Sequence, residues 1–285
     1  MSFTIYLESK KLSLRTVQHY SKYIQQFLTW LKEEQLQEEY FTYSDLLEFM
    51  QYCNAKGVTK RTLHNLLMMI RHYGNYLISE QKRNDNPAAG VFIKGLIRKL
   101  PSHLLSIEEM EELFKQYSIQ LSVDASKKIM LGLMIYQGLS VGEIMRLQSH
   151  HLKLKDGKIF IPGTQRTNER LLHLHAVQIT ELQNYLTKNK FSEGSLFIEP
   201  RKKEVSERNI NNRIQYMFSQ LRTLNPKVIN AKQIRSSVIT EWLQKNNLRQ
   251  VQYMAGHKYV SSTQRYQLNN LDDLQNELRS HHPMK

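Results

Sequence analysis

The residue types best suited to chemistry lie near the C-terminus of the 285-residue chain. Arg235 precedes His257 by 22 residues, and His257 precedes Tyr266 by nine. An arginine offers phosphate oxygens a fixed fork of donors, a phenol oxygen can attack phosphorus, and an imidazole can donate or move a proton. Together they suit phosphoryl transfer on an anionic ester, where cations offset the repulsion that an attacking oxygen meets. Each residue type is common by itself, so the hypothesis depends on their joint spacing.

Other site chemistries find little support in the sequence. It contains no Gly-rich phosphate loop and no His-Glu-x-x-His. The pairs His150-His151 and His281-His282 lack metal-ligand spacing to an acidic residue, and the carboxylates are scattered. The single cysteine, Cys53, lies in an apolar helical pattern and is interpreted as a buried core residue. We therefore expect no metal and no cofactor.

The charge balance points to a polyanionic partner. The formal net charge is +14 and the pI about 9.7, which fits DNA, RNA or an anionic membrane surface without choosing among them. No secretory signal and no run of 18 apolar residues is visible, so a cytoplasmic protein without a membrane span is expected.

The first part of the chain is predicted to be a helical domain over residues 1–82. Apolar residues repeat at helical spacing over 17–31, 45–54 and 63–77, and Thr59 is a plausible N-cap for the third helix. A polar and then basic stretch with two prolines and two glycines follows, and predicts a linker over 83–103.

The second domain is predicted over residues 104–285 as mainly helical with a small three-stranded antiparallel sheet. Ser106 and Glu109 form a capping-box pattern that starts a helix. A hairpin over 152–161 turns at Asp156-Gly157, and a third strand follows over 171–174. Helices fill the remainder.

In this order the motifs resemble those of the tyrosine recombinase, or phage integrase, family. The family has a catalytic arginine in a His-x-x-Arg motif, a Leu-Gly-His-type motif about 22 residues later and a tyrosine nine residues after that histidine. In this chain Arg235, Gly256-His257 and Tyr266 fit these positions, and Thr263 fits the family's threonine three positions before the tyrosine. Further family motifs are matched in order, at Asn86-Pro87, Leu105-Ser106-Ile107-Glu108-Glu109 and Gly138-Leu139-Ser140-Val141-Gly142-Glu143-Ile144.

The resemblance implies a fold, an activity and partners. It implies an N-terminal SAM-like core-binding domain and a tyrosine recombinase catalytic domain. It implies site-specific cleavage and rejoining of DNA strands through a 3′-phosphotyrosyl intermediate at Tyr266, without metal or ATP. The implied partners are double-stranded DNA with inverted-repeat sites and further copies in a homotetramer, where residues 271–278 dock on a neighbour or pack on their own domain. The basic residues expected on DNA are Lys60, Arg61, Lys94, Arg98 and Lys99.

The sequence departs from the family at three catalytic positions. Ser140 stands where the family has its first arginine, and Lys232 stands at the histidine of His-x-x-Arg. The turn after the second strand lacks the usual lysine but contains Arg166. We expect Lys232 and Arg166 to supply cations in this site, and Ser140 one hydrogen bond.

These departures leave a second hypothesis open. A recombinase-derived DNA-binding regulator or accessory protein with little or no catalysis would also show them. The retained Tyr266, His257, Arg235 and Thr263 favour the enzyme, because a protein without chemistry need not keep its nucleophile. A basic RNA-binding helical protein is a third, weaker alternative.

Overall fold

The computed structural model describes residues 2–96, 103–119, 124–164, 167–189, 194–197 and 207–267. The chain divides into two compact units, residues 1–98 and 99–285. The division falls within the stretch 83–103 that the sequence assigns to a linker, and the ends of that linker stay a prediction.

Helices build the first unit. Ser2, Ser13, Thr42 and Thr59 cap their N-termini by accepting hydrogen bonds from backbone N–H groups, as the sequence predicts for Thr59. The first helix was not predicted, because its seven residues, about two turns, carry little periodic signal. The helices are α1 (Phe3–Ser9), α2 (Leu14–Glu33), α3 (Tyr43–Ala55) and α4 (Lys60–Ser79).

Aromatic side chains form the centre of this unit. The ring of Phe27 lies edge-on to Phe41 and Phe49, with centroids 5.2 and 4.9 Å apart, and Trp30 packs alongside. Such edge-to-face pairs are favourable beyond the apolar area that they bury. Cys53 is buried in the same cluster, which agrees with its interpretation as a core residue.

The Asn-Pro stretch after α4 packs onto that helix. The Asn86 side chain donates to the Arg71 carbonyl at 2.9 Å and accepts from the Ala88 N–H at 3.0 Å. A Cβ on Gly74 would lie 2.5 Å from the Asn86 amide, so the lack of a side chain at Gly74 leaves the space that Asn86 occupies. Residues 86–91 therefore belong structurally to the N-terminal core.

The core of the second unit surrounds helix α6, whose residues 129–135 are all buried. This stretch reads Ile-Met-Leu-Gly-Leu-Met-Ile, and an all-round apolar pattern of this kind suits the centre of a core. Ser106 and Glu109 make the predicted capping box at the start of α5. The helices are α5 (Ile107–Ile119), α6 (Ala125–Tyr136), α7 (Val141–Arg146), α8 (Ala176–Asn189), α9 (Glu207–Leu224), α10 (Ala231–Lys245) and α11 (Leu248–Ala255).

A three-stranded antiparallel sheet lies in this unit, in the order β1 (Leu152–Lys153), β2 (Lys158–Ile161) and β3 (Arg170–His173). Ile159 pairs with Leu152 on one side and with Leu172 on the other. The predicted hairpin and third strand are confirmed, and with them the mainly helical fold class. In the part of the chain described here, no helix combines the length and apolarity needed to cross a bilayer.

Candidate active site

Tyr266 lies on a helical segment over residues 261–267 and is almost completely buried. Its ring packs in a small cluster with Ile239, Val251 and Ala255. Its phenol oxygen has a polar partner outside this apolar cluster, because it accepts a hydrogen bond from Nη2 of Arg265 at 2.9 Å. The packing fixes the ring, and the polar end of the side chain meets a cation.

His257 follows the left-handed Gly256 that ends α11 and stacks on Tyr266. The two rings lie 13° from parallel, with centroids 5.9 Å apart. His257 Nδ1 lies 2.8 Å from Oγ1 of Thr263, which is fully buried. A residue three positions before Tyr266 thus orients the imidazole beside the tyrosine.

Arg235 reaches this group from the buried helix α10. Its Nη1 donates to the Gly138 carbonyl at 2.5 Å and to Glu143 at 3.1 Å, and its Nη2 donates to the Ala255 carbonyl at 2.6 Å. The acceptor Ala255 lies two residues before His257. The guanidinium is therefore fixed to the same chain segment that carries the histidine.

A second, fully buried arginine lies beneath the site. Arg170, the first residue of β3, donates to Glu143 at 2.7 Å and to the Met254 carbonyl at 2.8 Å. It packs directly under Gly256, where an added Cβ would lie 2.3 Å from Arg170 Nη1. Gly256 is required both by this contact and by its φ of 67°.

Glu143 joins the two arginines. One carboxylate oxygen accepts from Arg170, and the other accepts from Arg235 and from the N–H and hydroxyl of Ser140 at 2.8 and 2.7 Å. Burial would by itself raise the pKa of this carboxyl, but Arg235 and Arg170 lower it to about 2. Glu143 is thus an anion that neutralises part of the surrounding positive charge.

The same surroundings keep His257 neutral. Burial, together with the nearby guanidinium groups of Arg235, Arg265 and Arg170, lowers the pKa of its imidazole to about 4 against the opposing effect of Glu143. Three guanidinium groups and one carboxylate therefore surround the imidazole. The excess of positive charge suits an anionic group such as a phosphate.

Comparison with known proteins assigns the family. The phage integrase family matches residues 104–272, and the N-terminal SAM-like domain of phage integrases matches residues 1–81. The chain belongs to the phage integrase family. It is a site-specific tyrosine recombinase, as its recognised motifs imply.

Recombinases resemble this chain over nearly their whole length. Tyrosine recombinase XerC of Bacillus pumilus is 25% identical, covering 99% of this chain and 95% of the relative. Tyrosine recombinase XerD of Shewanella oneidensis is 26% identical, covering 96% and 93%. Among solved structures, XerH bound to a palindromic difH substrate superimposes with a TM-score of 0.74 at 17% identity, covering 96% of this chain and 82% of that one. A lambda integrase dimer on a core site gives a TM-score of 0.68 at 13% identity, covering 93% and 92%.

The position of the recombinase family's first arginine is a helix cap in this chain. Ser140 is the N-cap of α7 and donates its hydroxyl hydrogen to Glu143. Residues 138–142 also read Gly-Leu-Ser-Val-Gly, the pattern of a serine hydrolase nucleophile elbow. Ser140 follows helix α6 and binds a carboxylate, so it lacks the strand and the base that a nucleophilic serine needs.

Of the other two altered positions, the structure describes only Lys232. Lys232 is exposed, three residues before Arg235 on α10. Arg166 lies outside the described residues. Its neighbour Thr167 forms a bridge with His257, and the Asn168 N–H donates to the Gly256 carbonyl at 3.0 Å. The end of the turn between β2 and β3 is thus adjacent to the histidine.

The basic residues of the first unit are partly brought together. Lys60 and Arg61 are exposed in the first turn of α4, which contains no acidic residue. Lys60 Nζ would lie 3.8 Å from a Cβ on Gly95, the residue after the exposed Lys94. The Lys60 ammonium is therefore close to the chain segment that carries Lys94. Arg98, Lys99 and the stretch 271–278 fall outside the described residues.

Two site arginines were missed by the sequence analysis. Arg170 lies two residues before the buried Leu172 on β3, so both side chains are on the inward face of the strand. The sequence contains this period-two signal. Arg265 has no such pattern, and only its position next to Tyr266 marks it.

Proposed function

We propose that Tyr266 is the nucleophile of this recombinase and that Arg235 and His257 hold the scissile phosphate. The Tyr266 oxygen attacks phosphorus, a phosphotyrosyl bond forms at the 3′ side, and the bond to the 5′-oxygen breaks. The phenol loses its proton and the leaving 5′-oxygen gains one, so a free 5′-hydroxyl results. Attack of a partner strand's 5′-hydroxyl on the phosphotyrosine reverses these changes and rejoins the DNA.

The convergence of three elements carries the proposal. Arg235 comes from α10, His257 from the end of α11, and Tyr266 from the segment 261–267. Stacking joins the imidazole to the phenol, and the Ala255 carbonyl joins the guanidinium to the histidine segment. Tertiary structure thus brings together a phenol, a fixed cation and a neutral imidazole that are separate in sequence, which supports these roles.

Arg235 keeps donors for a phosphate. Its bonds to Gly138, Glu143 and Ala255 use Nη1 and part of Nη2, and its Nε donates to no group in the described parts of the chain. Nε–H and a remaining Nη2–H can bind two phosphate oxygens as a fork. The bonds already made hold that fork in position before DNA arrives.

The contact with Thr263 favours His257 as a donor. The Thr263 hydroxyl is fully buried, and its Oγ1 has no other acceptor within the residues that the structure describes. If it donates its hydrogen to Nδ1, the neutral imidazole bears its proton on Nε2. Nε2–H can then donate to a phosphate oxygen.

Further cations are proposed to act once DNA is bound. Lys232 lies one helical turn from Arg235, and Arg166 belongs to the turn whose end bridges to His257. Lys60, Arg61, Lys94, Arg98 and Lys99 are proposed to bind backbone phosphates, which position DNA without reading its sequence.

The site symmetry and the assembly are proposed by likeness to relatives. XerH was solved on a palindromic substrate, and lambda integrase was solved as a tetramer bound to a Holliday junction. We propose that this chain acts on inverted-repeat DNA as a homotetramer.

Covalent trapping tests the nucleophile. A site is first recovered from random-sequence DNA by selection for binding, and is then prepared as a nicked duplex that loses a short strand on cleavage. We expect an adduct between protein and DNA that survives denaturant and is absent in Tyr266→Phe, which retains the ring packing. Binding without any adduct would favour the DNA-binding regulator over the enzyme.

A further inference from the structure

Arg265 contacts the nucleophile directly. Its Nη2 donates to the Tyr266 oxygen at 2.9 Å, and its guanidinium carbon lies 4.8 Å from the centre of the tyrosine ring. Its Nε is buried and has no hydrogen-bond partner in the residues that the structure describes. An unsatisfied buried donor is unfavourable, and Nη2 of Arg170 and Nη1 of Arg83 are unsatisfied in the same way, so what distinguishes Arg265 is its hydrogen bond to the Tyr266 oxygen.

The charge around Arg265 is not balanced locally. Within the described residues, no carboxylate lies within salt-bridge distance of its guanidinium, whereas Arg170 and Arg235 both bind Glu143. Arg265 is also close enough to His257 to lower the pKa of the imidazole. Its uncompensated charge therefore lies beside the tyrosine oxygen and the imidazole, in the site that the phosphate must enter.

The site lacks a cation that its chemistry calls for. Charge develops on phosphate oxygens in the transition state, and fixed donors aimed at them are a large source of catalysis. Ser140, at the position of the family's first arginine, contributes a neutral hydroxyl that is already bound to Glu143. Arg170 is fully buried and bound to Glu143. Arg235 therefore lacks the second guanidinium that a phosphate with two non-bridging oxygens can use.

We propose that Arg265 is a catalytic residue, which holds the Tyr266 oxygen before cleavage and supplies the scissile phosphate with the second guanidinium that the Ser140 position lacks. The proposal rests on Tyr266 being the nucleophile. Because Arg265 is the next residue in the chain, its guanidinium stays beside the attacking oxygen as that oxygen approaches phosphorus. Arginine stays protonated, so it acts as a donor and not as the acid for the leaving oxygen.

The first test separates cleavage from binding. Arg265→Met keeps an unbranched side chain without charge, Arg265→Lys keeps the charge without the fork, and Arg222→Met removes an exposed arginine of α9 as a control. We expect Arg265→Met to lower the single-turnover cleavage rate about 10²- to 10³-fold, with the Kd for DNA within about threefold of the parent. Arg265→Lys should fall between the two, and Arg222→Met should match the parent. Thermal unfolding shows whether each variant is folded.

The second test asks whether the lost charge acts on the phosphate. A methylphosphonate at the scissile position is neutral and needs less cationic stabilisation. The Arg265→Met defect should shrink at least tenfold on this linkage, and Ser140→Arg should raise the cleavage rate of the Arg265→Met protein at least tenfold. Equal defects on the two linkages, or a cleavage rate for Arg265→Met like that of the parent, would overturn the proposal.

The failure of this inference is distinguishable from failure of the proposed function. If the parent forms an adduct that needs Tyr266 and Arg265→Met forms it equally fast, only the role of Arg265 is wrong. If the parent forms no adduct, the nucleophile assignment itself is wrong.

Discussion

The two sides of the candidate site differ in how their cations are partnered. On the paired side, Arg170 and Arg235 share Glu143 and bind the carbonyls of Met254, Gly138 and Ala255. On the open side, Arg265 donates to Tyr266, and no carboxylate within the described residues lies at salt-bridge distance from its guanidinium. The paired side needs its charges to fold, whereas the open side keeps charge that the folded chain does not use. Substitutions should therefore reduce mainly stability on the first side and mainly cleavage on the second.

Loss of Glu143 should have the largest effect on stability. Glu143→Gln removes the carboxylate between two buried guanidiniums, and breaking a buried ion pair in this way costs about 3–5 kcal/mol. The expected fall in Tm is on the order of 10 °C, measured by calorimetry. Glu181→Gln is the matched control, because Glu181 pairs with Lys128 near the surface and should cost under about 1 kcal/mol. Equal shifts for the two variants would remove the distinction between the two sides.

Acid should destabilise the open side through His257. The pKa of its imidazole is about 4 in the folded chain, against an ordinary value of 6.5. Between these values the unfolded chain binds the proton and the folded chain does not, so stability falls as the pH drops from about 6.5 to 4. The full loss is on the order of 3 kcal/mol.

The measurement compares Tm at pH 7.5 and pH 5 for the parent and for His257→Gln, which keeps a neutral polar side chain. Burial also lowers the pKa of His72 and His151, so both proteins should lose some stability. The parent should lose more. Equal losses would show that His257 is not buried in its neutral form.

The sequence predicted Tyr266 and His257 on the open side and Arg235 on the paired side, but it did not predict Arg265 or Arg170. The spacing of Arg235, His257 and Tyr266 was sufficient to group them, because these positions follow a family pattern along the chain. The absence of an arginine at Ser140 was equally visible. That Ser140 instead caps α7 was readable in its Ser-x-x-Glu pattern, but that Glu143 also binds two arginines was not. Those arginines come from distant positions, and only the folded chain shows which carboxylate they share.

The fold was predicted where local periodicity is strong. The helices of the first unit and the hairpin of the second follow apolar repeats and turn residues. The helix α1 was missed, and the stretch after Asn86 was assigned to the linker although Ala88 and Val91 are buried against the first core. Two apolar residues between prolines and glycines carry too little pattern to reveal a docking contact.

Gly256→Ala should affect both sides, because Gly256 separates Arg170 from His257. The new Cβ would meet Arg170 Nη1 at 2.3 Å, and φ is 67°. Strain of this kind costs about 1–3 kcal/mol, and displacement of His257 should lower cleavage more than tenfold. Gly57→Ala is the control, since its φ of 74° imposes similar strain with no atom within 4 Å. The amount by which Gly256→Ala lowers the free energy of unfolding more than Gly57→Ala measures the contact with Arg170. Equal losses would show that this contact contributes nothing to stability.

The smallest effect is expected outside the site, on the basic surface of the first unit. Lys60→Gln removes an exposed cation near Lys94 and should leave both Tm and single-turnover cleavage at saturating protein unchanged. If Lys60 neutralises a phosphate, DNA affinity falls and the slope of log K against log salt drops by about one, on cognate and random DNA alike. Lys32→Gln, which removes another exposed lysine of the same unit, should leave the slope unchanged. If both variants lower the slope equally, the salt dependence reflects the net charge of the unit and not a contact at Lys60. Positions that bind phosphate could then be distinguished from positions that react with it only within the second unit.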